Sequence, residues 1–143
     1  MWYTTRVREK PQSPKGAEDQ PQRPENQGKR IPAIFYRTEA GGEPVRDWLK
    51  GFPPGDRKRT GEDIKTVEFG WPIGMPVCKP LGDGIYEVRS SLAQNRIGRV
   101  LFYIYKKSRM VLLHGFIKKT QKTPQEDLDL ARNNKRKHQV GLK

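Results

Sequence analysis

Cysteine, histidine, acidic residues and long apolar runs are all scarce in this chain of 143 residues, and each scarcity removes a class of function. The single Cys78 cannot close an internal disulfide, which fits a reducing compartment and removes any cysteine cluster as a metal site. Amid Met75, Pro76 and Val77 it reads as a small hydrophobe rather than a reactive thiol. The two histidines, His114 and His138, lie far apart with no CxxC or HExxH pattern, so the sequence assembles no metal centre. His114, inside an apolar run, reads as a satisfied core histidine. No strand is followed by GxGxxG or by a Walker-type GK[ST], so no nucleotide cofactor is expected. No apolar run approaches the roughly 18 residues that cross a bilayer, and the opening MWYTTRVREK carries no apolar stretch of the secretory kind. The expectation is a cytoplasmic protein without metal, cofactor or membrane partner.

The shortage of acids is the most informative of these. Against 29 lysines and arginines stand only 16 aspartates and glutamates, a formal net charge of +13. Charge of that size on one small domain attracts polyanions at long range, and nucleic acid is the partner it first suggests; an anionic membrane or a merely soluble surface would suit the same count.

With 33% apolar residues, not all of the chain can be packed core. Residues 1–30 hold Pro11, Pro14, Pro21 and Pro24 among Gln, Lys, Glu and Asn, with almost nothing apolar after Val7. They read as a disordered, basic, Pro/Gln-rich extension. The folded domain is expected over 31–137, with a short tail at 138–143.

Within it, Ile31 to Arg37 reads as a first strand, with Pro32 placing it at an edge or a strand start. Gly42-Glu43-Pro44 opens a helix whose Val45, Trp48 and Leu49 share a face, and Phe52-Pro53-Pro54-Gly55 ends it. Asp56 reads as the N-cap of a second helix running to about Phe69. Gly70 to Pro76 reads as a loop that continues past Lys79 to the next strand. Gly84–Ser90, Gly98–Lys106 and Met110–Ile117 form a three-strand meander, antiparallel because the connections are too short for crossovers. Val111-Leu112-Leu113 is apolar on both faces, so the last strand should be central and covered on both sides. Gln125 to Lys137 reads as a C-terminal amphipathic helix. The expected fold is α+β: a small antiparallel sheet with two N-terminal helices and a C-terminal one, and no internal repeat.

Strand alternation supplies the candidate site. Tyr86 and Val88 point one way while Glu87 and Arg89 point the other, and Val100, Phe102 and Ile104 leave Arg99, Tyr103 and Tyr105 together. Neighbouring strands thus offer arginines and tyrosines on a common face, with Arg99 on the side opposite the core, where its loss should open no cavity and change stability little. Lys79 precedes the meander, and Lys118, Lys119 and Lys122 follow the last strand. Such a surface would hold phosphates and stack a base on Tyr103 or Tyr105; sheet arginines on an open face are equally often plain solvated residues. RNA cleavage needs no metal. A 2′-hydroxyl attacks the adjacent phosphate once a group takes its proton, cations stabilise the crowded oxygens and a donor meets the leaving 5′-oxygen. A lysine whose pKa is lowered by neighbouring cations can exchange that proton.

Three runs carry a resemblance to a known family: Pro44-Val45-Arg46-Asp47-Trp48-Leu49, Ile85-Tyr86-Glu87-Val88-Arg89 and, most specifically, Leu112-Leu113-His114-Gly115-Phe116-Ile117-Lys118-Lys119-Thr120-Gln121-Lys122-Thr123-Pro124. From about Ile31 to Arg136 the chain resembles the HigB-like, phage-derived branch of the RelE/ParE toxin superfamily. The resemblance implies a RelE-like fold and the toxin of a type II toxin-antitoxin system. It implies a ribosome-dependent, metal-independent mRNA endoribonuclease (an mRNA interferase), restrained by a HigA-like helix-turn-helix antitoxin. Carried over by position, it implies catalytic roles for Arg99, Lys118 or Lys119, and a supporting Arg89, with Lys79 as a basic residue before the meander. The chain departs from the best-known members in having no C-terminal tyrosine to stack a base; Tyr103, Tyr105 or His138 takes that part, or no residue does. The same fold also serves ParE-type toxins that inhibit gyrase without catalysis, and a plain nucleic-acid-binding module is the third reading.

Overall fold

The computed structural model describes residues 28–118 and 123–141. Its strands are Ala33–Phe35 (β1), Cys78–Gly82 (β2), Ile85–Ser91 (β3), Ile97–Tyr105 (β4) and Arg109–Lys118 (β5), joined in one sheet in the order β1-β5-β4-β3-β2. Helices Pro44–Lys50 (α1) and Pro54–Gly70 (α2) lie between β1 and β2 in sequence, and Gln125–Gly141 (α3) follows β5. The α+β order is therefore the expected one.

Two features of the sheet differ from expectation. Cys78–Gly82 is a strand, not loop, so the meander has four strands and Lys79 stands on β2, opposite Glu87 of β3. Pro80 and Gly82 hid it, and Pro80 is tolerated because β2 is an edge. Furthermore β1 runs parallel to β5, so the sheet is mixed. A parallel neighbour needs a long connection, and here everything from α1 to β4 supplies it.

Strand β5 is interior and buried on both faces, as its apolar run implied. On one face Val88, Val100, Phe102, Met110 and Leu112 pack with Val45, Ile64 and Val67 of α1 and α2. On the other, Ile85, Leu101, Tyr103, Val111, Leu113 and Phe116 pack with Ala131 and Leu128 of α3. Pairing slips between Leu101 and Phe102: Leu101 faces His114 and Phe102 faces Leu112, leaving Leu113 as the extra residue of a bulge. The Leu113 carbonyl accepts a hydrogen bond from Asn134 Nδ2 of α3 at 2.9 Å, so the bulge docks the helix.

The element ends also shift. Helix α2 begins at Pro54, which suits a first helical turn, and Asp56 is not its N-cap. Instead the Asp56 carboxylate accepts the Ala93 N–H at 3.0 Å and pairs with Arg96, tying the start of α2 to the β3–β4 connection. The Ala93 hydrogen bond, aided by Arg96 and opposed by desolvation, holds its carboxyl below its ordinary value. Helix α3 runs on through His138 to Gly141 rather than ending near Lys137. The expected extension falls outside the described residues up to position 27. Lys29 and Arg30 are tied in: Lys29 Nζ lies 3.2 Å from Glu68 Oε2, and the Arg30 N–H donates to the Glu68 carbonyl at 2.8 Å. No helix among the described residues is long and apolar enough to cross a membrane.

Trp48 of α1 lies against the backbone of Gly115 on β5, in edge contact with Phe52 at 4.5 Å. A β-carbon on Gly115 would sit 2.4 Å from Trp48 Cε3 and 2.8 Å from two further ring atoms, so no side chain fits there. Gly115→Ala is expected to cost about 3 kcal/mol, since a packed indole cannot yield as a flexible side chain would. In contrast, Gly61→Ala in exposed α2 meets nothing within 4 Å and should add about 0.8 kcal/mol. Urea unfolding of the two variants beside the parent checks both signs.

Candidate functional site

Four of the expected cations converge at one end of the sheet, on the face that α3 covers. Register decides this. Lys79 of β2 stands opposite Glu87 of β3, Arg89 of β3 opposite Arg99 of β4, and Ile97 of β4 opposite Lys118 at the end of β5. Glu87 and Arg89 are two apart on one strand and so share a face. Lys79, Arg89 and Lys118 are half-buried, each keeping part of its side chain in solvent.

Arg99 is not on the open face that its place opposite the core set implied. It is only 3% exposed, and its Nη1 donates to Glu87 Oε1 at 3.0 Å, with Glu87 wholly enclosed. The other carboxylate oxygen, Oε2, accepts the Thr123 hydroxyl at 2.9 Å. Arg99 Nε has no partner among the described residues. The expectation that Arg99 could be lost with little effect on stability is therefore corrected. Alternation assigned its face rightly, but α3 and the end of β5 close over that face and turn a surface position into a buried one.

Electrostatics follow from this packing. Burial pulls the Arg99 guanidinium below its ordinary value, with Arg89 adding to the shift and Glu87 opposing it. Lys118 is also lowered, first by burial and then by repulsion from Arg99, Lys79 and Arg89, again with Glu87 opposing. A lysine lowered by burial and by neighbouring cations, beside an arginine and a lysine that keep part of their side chains in solvent, is the kind of group that can exchange a proton at a phosphate. Cys78, next to this cluster and 1% exposed, has its thiol pushed up to about 11 by burial and by the Glu87 charge, which keeps it an inert small hydrophobe.

The expected tyrosines are not part of the cluster. Tyr103 and Tyr105 lie four and six residues further along β4 than Arg99, about 13 and 20 Å at strand rise. Tyr103 is 3% exposed beneath α3, and its hydroxyl lies 2.5 Å from His138 Nδ1. Burial, then Tyr105, raises the Tyr103 phenol to about 12, so the hydroxyl keeps its proton in the hydrogen bond it shares with Nδ1. The His138 ring also meets Tyr36 at 6.5 Å and Tyr105 at 5.4 Å. Thus Tyr103 and His138 pin the C-terminal half of α3 rather than facing solvent for a base. Half-exposed Tyr105 lines an open groove of about 630 Å³ with Tyr86, Tyr103, Lys106, Lys135 and Gln139. His114 Nε2 pairs with Asp127 Oδ1 of α3 at 2.7 Å, a satisfied histidine as expected, though half-buried rather than enclosed. Lys119 and Lys122 lie outside the described residues.

Glu87 is the site residue that sequence reasoning did not select, although alternation had set it beside Arg89. The available signal was its isolation: one acid on a face otherwise supplied with Lys79, Arg89, Arg99 and Lys118. Thr123, far along the chain, gave no such signal.

Two consequences are open to measurement. Arg99→Ala should lower stability by about 3 kcal/mol or more in denaturant unfolding, because it strands the enclosed Glu87 carboxylate. Burial holds His138 below its ordinary value of 6.5. Its neutral form therefore folds without penalty above pH 6.5, and stability is lost as pH falls below that, where the unfolded chain takes up the proton first. Between pH 8 and 5.5 the melting temperature of the parent should fall further than that of His138→Phe, which keeps an aromatic ring but cannot titrate.

Comparison with known proteins adds one relationship. No curated protein matches the chain. The family model described as "Phage derived protein Gp49-like (DUF891)" matches residues 47–136, well over half of the sequence. That span begins within α1, takes in the Trp48–Gly115 contact and the whole basic cluster, and ends inside α3. With that match over more than half of its length, the chain belongs to the phage-derived Gp49-like family.

Proposed function

We propose that this protein is the toxin of a type II toxin-antitoxin pair and cleaves mRNA on the ribosome without a metal. The observation that carries this reading is the convergence of Lys79, Arg89, Arg99 and Lys118 around one buried carboxylate, with burial and the neighbouring cations holding Lys118 below its ordinary value. Membership of the Gp49-like family and the resemblance to HigB-like toxins support it. A ParE-type inhibitor or a simple binding module would need positive charge, but neither needs a lysine held among three other cations.

The chemistry divides by exposure. Lys79 and Arg89, each partly in solvent, would grip the phosphates on either side of the scissile bond. Lys118 would take the 2′-hydroxyl proton or return one to the leaving 5′-oxygen. Arg99, almost enclosed, would act mainly through its field, stabilising charge on the phosphorane and keeping Lys118 low. Restraint by a HigA-like helix-turn-helix antitoxin and action in the cytoplasm belong to the same proposal, since a toxin with so basic a face must be covered when not in use.

Lys118→Ala is the test, because its half-exposed side chain can be removed without stranding a buried partner. Incubation with translating ribosomes and mapping of mRNA ends should show cleavage by the parent and a loss of about a hundredfold in the variant. Binding should fall far less, as Lys79 and Arg89 still hold the backbone. Chelation with EDTA should leave the rate unchanged. Near-full cleavage by Lys118→Ala, or a reaction stopped by chelation, would overturn the reading.

A further inference from the structure

Resting on the ribonuclease reading, we infer that Glu87 is a positioning residue of the site: its carboxylate aims Arg99 through one oxygen, anchors the approach to α3 at Thr123 through the other, and itself exchanges no proton with RNA. Three observations carry this. Glu87 has no exposed surface, so a 2′-hydroxyl cannot reach it. Both its oxygens are engaged, Oε1 by Arg99 Nη1 at 3.0 Å and Oε2 by Thr123 Oγ1 at 2.9 Å. And Arg99, on the neighbouring strand, stands directly across from Arg89, a placement that like charges resist and that a carboxylate beside them offsets.

A general base must come within hydrogen-bond reach of the proton it takes, and Glu87, without exposed surface and with each oxygen already accepting a hydrogen bond, has no such access in this arrangement. Stability alone is a poor reason for the pair, since a buried ion pair can usually be replaced by apolar side chains at no cost. What apolar residues could not do is hold a guanidinium in one orientation beside Lys118. The groups facing Lys118 are Glu87, Arg99, Lys79 and Arg89, and Glu87 is the one among them that raises its pKa. The His114–Asp127 pair lies along the row of Glu87 and Leu101 and is internally matched.

Two substitutions separate charge from reach. Glu87→Gln keeps the shape and both hydrogen-bonding positions but removes the charge. Glu87→Asp keeps the charge and withdraws it by one methylene. In the ribosome assay, kcat and KM are followed against pH, with the parent cleaving mRNA as the control for the ribonuclease reading. In parallel, the Lys118 side chain is titrated by NMR without RNA. Glu87→Gln is expected to move the Lys118 titration to lower pH together with the limb of the rate profile that reports it, the acidic limb if Lys118 takes the 2′-hydroxyl proton and the basic limb if it supplies the leaving 5′-oxygen. Glu87→Asp should leave both in place yet lower kcat tenfold or more with KM nearly unchanged, because Arg99 is misplaced. If Glu87→Gln does not fold, Thr123→Val and Thr123→Ser decide: the first should lower kcat several-fold and the second should restore it.

Parental kcat, KM and Lys118 titration in Glu87→Gln would reduce Glu87 to packing, as would parental kcat in Glu87→Asp and Thr123→Val. Disappearance of a pH limb in Glu87→Gln would make Glu87 the proton acceptor and overturn the inference. A parent that cleaves nothing sinks the ribonuclease reading instead, and the Lys118 titration still reports on Glu87.

Discussion

The buried pair of Glu87 and Arg99 is the interaction on which the rest of this molecule turns. Arg89 and Arg99 are directly opposed on neighbouring strands, Lys79 faces Glu87 from the other side, and Lys118 closes the group from β5. Four cations on one small patch would repel one another strongly in a low-dielectric setting. A single enclosed carboxylate makes the patch tenable, and because it also receives the Thr123 hydroxyl, the same group joins the sheet to the residues that lead into α3.

A second constraint works from the opposite face. Trp48 needs a floor without side chains, and Gly115 supplies it. Position 115 is on the strand that ends at Lys118, so the indole's seat and the site's lysine are set by one short stretch of β5. Two of the three runs that carry the family resemblance, one in α1 and one in β5, are thus halves of a single packing contact. The bulge at Leu113 does comparable work for α3, since it frees a carbonyl for Asn134 and turns His114 toward Asp127. Fold and site share these residues, which explains why the basic cluster sits where the sheet is buried on both sides rather than on an open face.

The far end of α3 is held differently. There His138 lies among Tyr36, Tyr103 and Tyr105 and is hydrogen-bonded to a phenol that burial keeps protonated. The helix is consequently anchored at both ends through histidines, one by a carboxylate on the helix and one by a tyrosine on the sheet.

Much of this was readable from the chain alone, and the reason is local. The meander, the two-sided burial of β5, the N-terminal helices and the common face of Glu87, Arg89 and Arg99 all follow from side-chain periodicity over a few residues. Charge composition pointed to a polyanion, and three motif runs pointed to the family. Beyond that reach lay whatever depended on distant segments meeting. Strand β2 was masked by Pro80 and Gly82, whose poor strand propensity is overridden by pairing with β3. The parallel seat of β1 required β5. Above all, whether Arg99 was surface or interior depended on α3 and Thr123 closing over it, and no periodicity within β4 contains that information. Sequence determined which side chains share a face; tertiary packing alone decided which of them water can reach, because burial belongs to the neighbours a residue acquires from elsewhere in the chain.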